Sequence, residues 1–114
     1  MPGPKTNKRR GFNYEREIVK DAQSYDLQAE RAYASNGRSL GEQDDVDVLI
    51  TAPPHRIRVQ AKRKKSLPAW LKMNDGQDAV FFREDQGKSF ALIRADHYLH
   101  LLAIARRLHA SQNQ

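Results

Sequence analysis

The sequence predicts an α/β domain, and three patterns carry that prediction. Apolar and polar residues alternate at period two across 45–50 and 57–62, the signature of paired strands. Apolar residues recur at helical spacing toward both ends of the chain, from Asn13 to about Tyr25 and from Asp96 onward. Between these, Ala79-Val80-Phe81-Phe82-Arg83 and Ser89-Phe90-Ala91-Leu92-Ile93-Arg94 enclose the turn-rich Asp85-Gln86-Gly87-Lys88, which predicts a second hairpin.

In the first helix Tyr14, Ile18, Ala22 and Tyr25 form the stripe, Val19 widens it, and Asn13 is the expected N-cap. Glu15 falls in its first turn, where the positive end of the helix dipole favours a carboxylate. Residues 28–34 form a strand of modest propensity. The stretch from Ser35 to Gly41 reads as a loop, because Asn36-Gly37 and a second glycine permit positive φ and close backbone approach. Ser35, Arg38 and the loop amides suit a phosphate, although the same composition also suits a plain connection. Glu42, Asp44, Asp45 and Asp47 then make an acidic cluster in a basic chain.

With 51–56 as the connection, the first hairpin places Ile50 opposite Ile57 and Val48 opposite Val59. Asp47 then falls opposite Gln60, and Asp45 opposite Lys62. Directly opposed residues share a face, so one face is apolar and the other holds acid, amide and ammonium. A slip of one residue would set Asp47 against Val59 and destroy the apolar match. Such a polar face has the donors to hold a hard divalent cation and a phosphate-bound water, but it also describes an ordinary solvated hairpin.

Downstream, Ser66 and Pro68 predict a short helix reaching about Met73, with Leu67, Trp70 and Leu71 as packing residues. The aromatic and branched residues of the second hairpin are expected in the core. Asp96 is the expected cap of the last helix, with Tyr98, Leu101, Leu102, Ala105 and Leu108 as its apolar face. His97 and His100 stand three apart, but no third ligand lies nearby in sequence, so they read as helix surface rather than a zinc site.

At 114 residues and 39% apolar content the chain makes one core, not two. A formal charge of +6, with an isoelectric point near 9.8, favours a polyanionic partner. The excess is concentrated in Lys5, Lys8, Arg9 and Arg10, in Arg56, Arg58, Lys62, Arg63, Lys64 and Lys65, and in Arg106 and Arg107. Pro, Gly and charge without apolar periodicity make the amino terminus an expected flexible arm, either phosphate-gripping or merely solubilising. The absence of cysteine excludes disulfides and thiolate metal sites. Without a long apolar run, neither a membrane span nor a secretory signal is expected. The expected location is the cytoplasm, the host's if the chain is phage-encoded.

The order of these motifs resembles the PD-(D/E)xK nuclease superfamily. It runs Tyr14-Glu15-Arg16-Glu17 on a helix, Arg31 to Gly37 after a strand, Asp47-Val48-Leu49-Ile50, and Val59-Gln60-Ala61-Lys62. Within the superfamily the likeness is to archaeal-type Holliday-junction resolvases, over roughly residues 11 to 95. The resemblance implies a restriction-endonuclease-like core, a central mixed β-sheet flanked by helices. It divides the chain into a basic arm (1–11), a single nuclease-like domain (12–110) and a disordered tail (111–114).

By the same resemblance Glu15, Ser35, Asp47, Gln60 and Lys62 are catalytic. Asp47, Gln60 and Glu15 bind Mg2+, with Mn2+ able to substitute, Lys62 serves as base or electrostatic clamp, and Ser35 contacts the backbone near the cut. Lys8, Arg9, Arg10, Arg38, Arg56, Arg58, Arg63, Lys64 and Lys65 hold branched or double-stranded DNA, and the enzyme is a homodimer with no membrane partner. Three departures stand out: Gln60 where most members carry Glu or Asp, Val46 in place of the usual proline, and a short segment from Leu67 to Met73 in place of a longer helix. An amide oxygen adds no negative charge, so Mg2+ binding is expected to be weaker. Asp45 is a candidate for restoring it. The competing readings are a non-catalytic nucleic-acid-binding module of the same fold, with Trp70 as a stacking platform, a general or nicking nuclease, and a basic RNA-binding protein, which leaves the ordered acids unexplained.

Overall fold

The structure is a computed structural model that describes the main chain of residues 4–32, 37–43 and 45–113, and the side chains of 12–32, 39–43 and 45–113. It is mixed α/β. Helix α1 (Pro4–Ser24) leads to strands β1 (Gln28–Arg31), β2 (Val48–Ala52) and β3 (His55–Val59), then β4 (Ala79–Phe82), β5 (Phe90–Ile93) and helix α2 (Ala95–Gln112).

Helix α1 begins at Pro4, not at the expected cap Asn13, so residues 4–11 of the expected arm continue the helix. Proline is tolerated in a first turn, and Lys and Arg are good helix formers, which removes the need for a later start. Its far end is a Schellman turn. Asp26 adopts φ 62°, its N–H donates to Gln23 O at 3.0 Å, and Leu27 N–H donates to Ala22 O at 3.2 Å. The turn drops Leu27 beside Ala22 in the core, at 3% and 0% exposure. Left-handed backbone costs an aspartate more than a glycine, so Asp26→Gly is expected to stabilise the fold by up to about 1 kcal/mol, read by urea unfolding.

The sheet order is β1-β2-β3, with β4-β5 forming a separate pair, and every pairing is antiparallel. The mixed sheet implied by the resemblance is therefore not found among the described residues. A parallel pair needs a crossover, usually helical. Here β2 turns straight into β3 through Pro53-Pro54, and the link from β3 to β4 holds only a single 3-10 turn, Ala69–Leu71, where a short helix was expected. Extended backbone at Pro68 and Lys72 closes that turn on both sides, and it buries no residue.

The core forms on one face of the three-stranded sheet. Val48, Ile50 and Ala52 pack with Ala22 and Leu27 of the α1 end and with Leu99 and Leu102 of α2, while Ile18, Val19, Ala29, Ile57 and Val59 close the edges. Helix α2 differs from expectation in two ways. Its N-cap is Arg94, two residues before the expected Asp96, so Asp96 lies inside the first turn, where its carboxylate accepts from His97 N–H at 2.9 Å and from Arg94 Nε at 3.3 Å. Its buried residues are Leu99, Leu102 and Ala103, whereas Leu101, Ile104 and Leu108 are exposed. Apolar residues occupy both faces of this helix, so periodicity does not select the one that packs. His100 lies edge-on to Tyr25 at 6.5 Å, a packing contact.

The second hairpin corrects another expectation. Phe81 and Phe90 are 76% and 61% exposed, not core. Among the described residues no helix is long and apolar enough to cross a membrane.

Candidate functional site

The predicted register holds through the strands, with Val48 opposite Val59 and Ile50 opposite Ile57. It changes at the carboxylate. Asp47 N–H donates to Val59 O at 2.9 Å, so Asp47 and Val48 both address Val59 where Asp47 was expected opposite Gln60. Two residues facing one is the offset of a β-bulge, a device that re-aims a side chain. The Asp47 carboxylate then takes up the chain beyond β3: its Oδ2 accepts the Ala61 N–H at 2.8 Å. Asp47 O accepts from Ala32 N–H at 2.8 Å, which ties the end of β1 to the same point. Asp47 and the Gln60-Ala61-Lys62 segment are thus brought together, although by bulge and side chain in place of a regular ladder.

Glu15 is buried at 4% exposure, on the face of α1 that meets the sheet. The pleat explains its partner. Ala29 registers with Ile50 and Arg31 with Val48, so Arg31 shares the helix-facing side of the sheet. Its Nη1 donates to Glu15 Oε2 at 3.2 Å, and its guanidinium carbon lies 5.1 Å from the centre of the Phe12 ring. Glu15 thus lies beside strand residue 31, whose registered partner directly follows Asp47. Sequence reasoning did not single out Arg31, yet its parity with Ala29 pointed it at α1.

Gln60 and Lys62 are exposed. Both line a groove of about 330 Å³ together with Tyr14 and Asp21 of α1 and Tyr98 of α2. Asp45 is exposed and unengaged among the described residues. No group of three or more His, Cys, Asp or Glu among the described residues is gathered to hold a metal. The oxygens on offer are the second carboxylate oxygen of Asp47, the amide of Gln60 and main-chain carbonyls. Such a set does not make a closed protein cage, but it fits Mg2+, which is commonly held by one or two carboxylates with water and substrate phosphate completing the shell.

The opposite face of the sheet carries a feature that sequence reasoning missed. Glu42, read as part of the acidic cluster, accepts from Arg56 Nε at 2.6 Å and from Arg58 Nε at 2.8 Å, and Arg56 also donates to Leu40 O at 2.8 Å. Arg56 and Arg58 lie two apart on β3 and therefore on one face, which is the signal that was available. The hydrogen bonds from Arg58 and then Arg56 lower the Glu42 pKa below its ordinary 4.5. A lowered carboxylate pKa stabilises the fold above the unfolded value and ceases to do so as pH falls through the folded one. Glu42→Gln is thus expected to lower Tm at neutral pH, with the gap to wild type closing as pH falls below 4.5, as followed by thermal melts. The same change leaves the Arg56 and Arg58 guanidiniums without their shared carboxylate.

Arg63, Lys64 and Lys65 are exposed and follow directly on Lys62. Ser35 lies outside the described residues, as do the side chains of Lys8, Arg9, Arg10 and Arg38. In comparisons with known proteins, no family model, curated protein or solved structure matches the chain.

Proposed function

We propose that the chain is a metal-dependent, structure-selective DNA endonuclease, acting on branched DNA as a Holliday-junction resolvase does. The observation that carries the reading is the carboxylate of Asp47 held at 2.8 Å on the main chain between Gln60 and Lys62. This ties an acid to the stretch of backbone that carries Gln60 and Lys62, in a chain of net charge +6.

In this reading Asp47 and Gln60 would hold Mg2+, with Glu15 supporting them from α1. The ion, when bound, acidifies a water and stabilises the charge that develops on the phosphate oxygens. Lys62, free at the groove edge, orients that water or compensates the same charge. Arg63, Lys64 and Lys65 grip the flanking phosphates and confer salt dependence with little base reading. Cutting two strands of a junction symmetrically suits a two-fold dimer.

One observation favours a second reading, a binding module without catalysis. Glu15 is engaged by Arg31, and Gln60 brings no charge, which leaves Asp47 as the principal carboxylate. Incubating the protein with labelled four-way junction, linear duplex and single strand in Mg2+ separates the readings. Paired symmetric nicks in the junction alone are the expected result. Cutting of every substrate demotes the chain to a general nuclease, and binding without any cutting in Mg2+ or Mn2+ leaves the module.

A further inference from the structure

The second hairpin holds an aromatic cluster on the outside of the molecule. Trp70 meets Phe82 edge-on at 5.4 Å between ring centres, and Phe82 stacks on Phe90 at 5.9 Å with 28° between planes. Trp70 and Phe90 are nevertheless 60% and 61% exposed. The three rings border an open groove of about 680 Å³, along with Arg83, Glu84 and Lys88. Rings pre-arranged against one another but left open to water are costly for a soluble chain unless something covers them.

Charge indicates what that is. Two bases against one acid leave the groove edge net positive. The segment that reaches Trp70 from Lys62 begins with the run Lys62-Arg63-Lys64-Lys65 and continues through Ser66-Leu67-Pro68-Ala69, exposed throughout. At no more than about 3.6 Å per residue, Trp70 lies within roughly 29 Å of Lys62. A cationic track leading from the candidate site to exposed ring faces matches a strand whose phosphates follow the track while its bases stack at the end.

We propose that Trp70 and Phe90 form a stacking platform for unpaired bases, so that the ligand is nucleic acid with a single-stranded segment. This deepens the nucleic-acid reading and rests on it, but it does not depend on catalysis.

The chain has one tryptophan, so Trp70 emission reports the platform directly. The full chain, in chelator, is titrated with oligothymidylate and with a base-free deoxyribose-phosphate strand of equal length. The thymidylate strand is expected to quench the emission and to bind about tenfold tighter than the base-free strand. Phe90→Ala, at an exposed position, is expected to lower thymidylate affinity about tenfold and leave base-free binding unchanged. Equal affinity for the two strands overturns the proposal, as does emission that responds to protein concentration but not to DNA, the mark of a second copy on the patch. Quenching without cleavage in Mg2+ counts against the nuclease alone, whereas cleavage without quenching counts against the platform alone.

Discussion

Asp47→Asn is expected to abolish cleavage while leaving the fold intact, and Asp47→Ala to abolish cleavage and weaken the fold as well. The difference follows from the two duties of one carboxylate. Oδ2 accepts the Ala61 N–H, and an asparagine carbonyl can accept the same bond. Alanine cannot, and a half-buried N–H deprived of a charged acceptor costs about 1.5–3 kcal/mol. The catalytic duty that the proposed function assigns to Asp47 is lost in both. Removing the principal carboxylate of a metal site forfeits several kcal/mol of transition-state stabilisation, and about 4 kcal/mol corresponds to roughly a thousandfold in rate. Single-turnover cleavage and urea unfolding, measured on the same preparations, check the two halves. Equal stability of the two variants would mean that Asp47 does not hold the segment beyond β3.

The largest effect on stability is expected at Ile50. Its side chain is 2% exposed at the centre of the cluster joining β2 to the end of α1 and to α2. Truncation to alanine leaves a cavity that rigid neighbours on three elements cannot fill, at a cost of about 2–5 kcal/mol. Against a total of about 5–15 kcal/mol that is a large fraction, and Tm should fall on the order of 10 °C. Leu108, 59% exposed on α2, supplies the control. Leu108→Ala should change stability by no more than about 0.5 kcal/mol. Comparable losses at the two positions would show that α2 packs by its other face.

What the sequence disclosed and what it withheld divide along physical lines. The β2-β3 register was legible because Val48 with Val59 and Ile50 with Ile57 is the pairing that matches apolar to apolar, and a slip is penalised at every position. The same logic failed at Asp47. The offset there is a main-chain event, an N–H taking Val59 O, and no side-chain pattern encodes it. Helix α2 existed in the periodicity, but with Leu101, Ile104 and Leu108 on one side and Leu99, Leu102 and Ala103 on the other, only tertiary contact decides which is buried. The aromatics of β4 and β5 were legible as strands and misleading as core, since hydrophobicity measures the tendency to be covered and not what does the covering.

Around the candidate site, Glu15 lies on α1 beside Arg31, Asp47 immediately precedes β2, and Gln60 and Lys62 line a groove whose described lining includes neither carboxylate. Two partnerships were hidden: Arg31 with Glu15, and Glu42 with Arg56 and Arg58. Ion pairs between residues fourteen to sixteen positions apart depend on how a helix or loop crosses a sheet, which charge patterning along the chain does not specify. The consequence for function is concrete. Two of the arginines assigned to DNA already share the Glu42 carboxylate, whereas Lys62, Arg63, Lys64 and Lys65 are exposed.

In the proposed function, Asp47 and the Gln60-Ala61-Lys62 segment form a metal-dependent phosphodiesterase site. The most direct measurement is cleavage of an end-labelled four-way junction by the wild-type chain with Mg2+, set beside the same reaction in chelator and beside Lys62→Ala in Mg2+. Cut products are expected with Mg2+ only, and a loss of rate in Lys62→Ala with junction binding retained. A wild-type chain that binds the junction and leaves it uncut in both Mg2+ and Mn2+ would contradict it, as would cutting that persists unchanged in chelator.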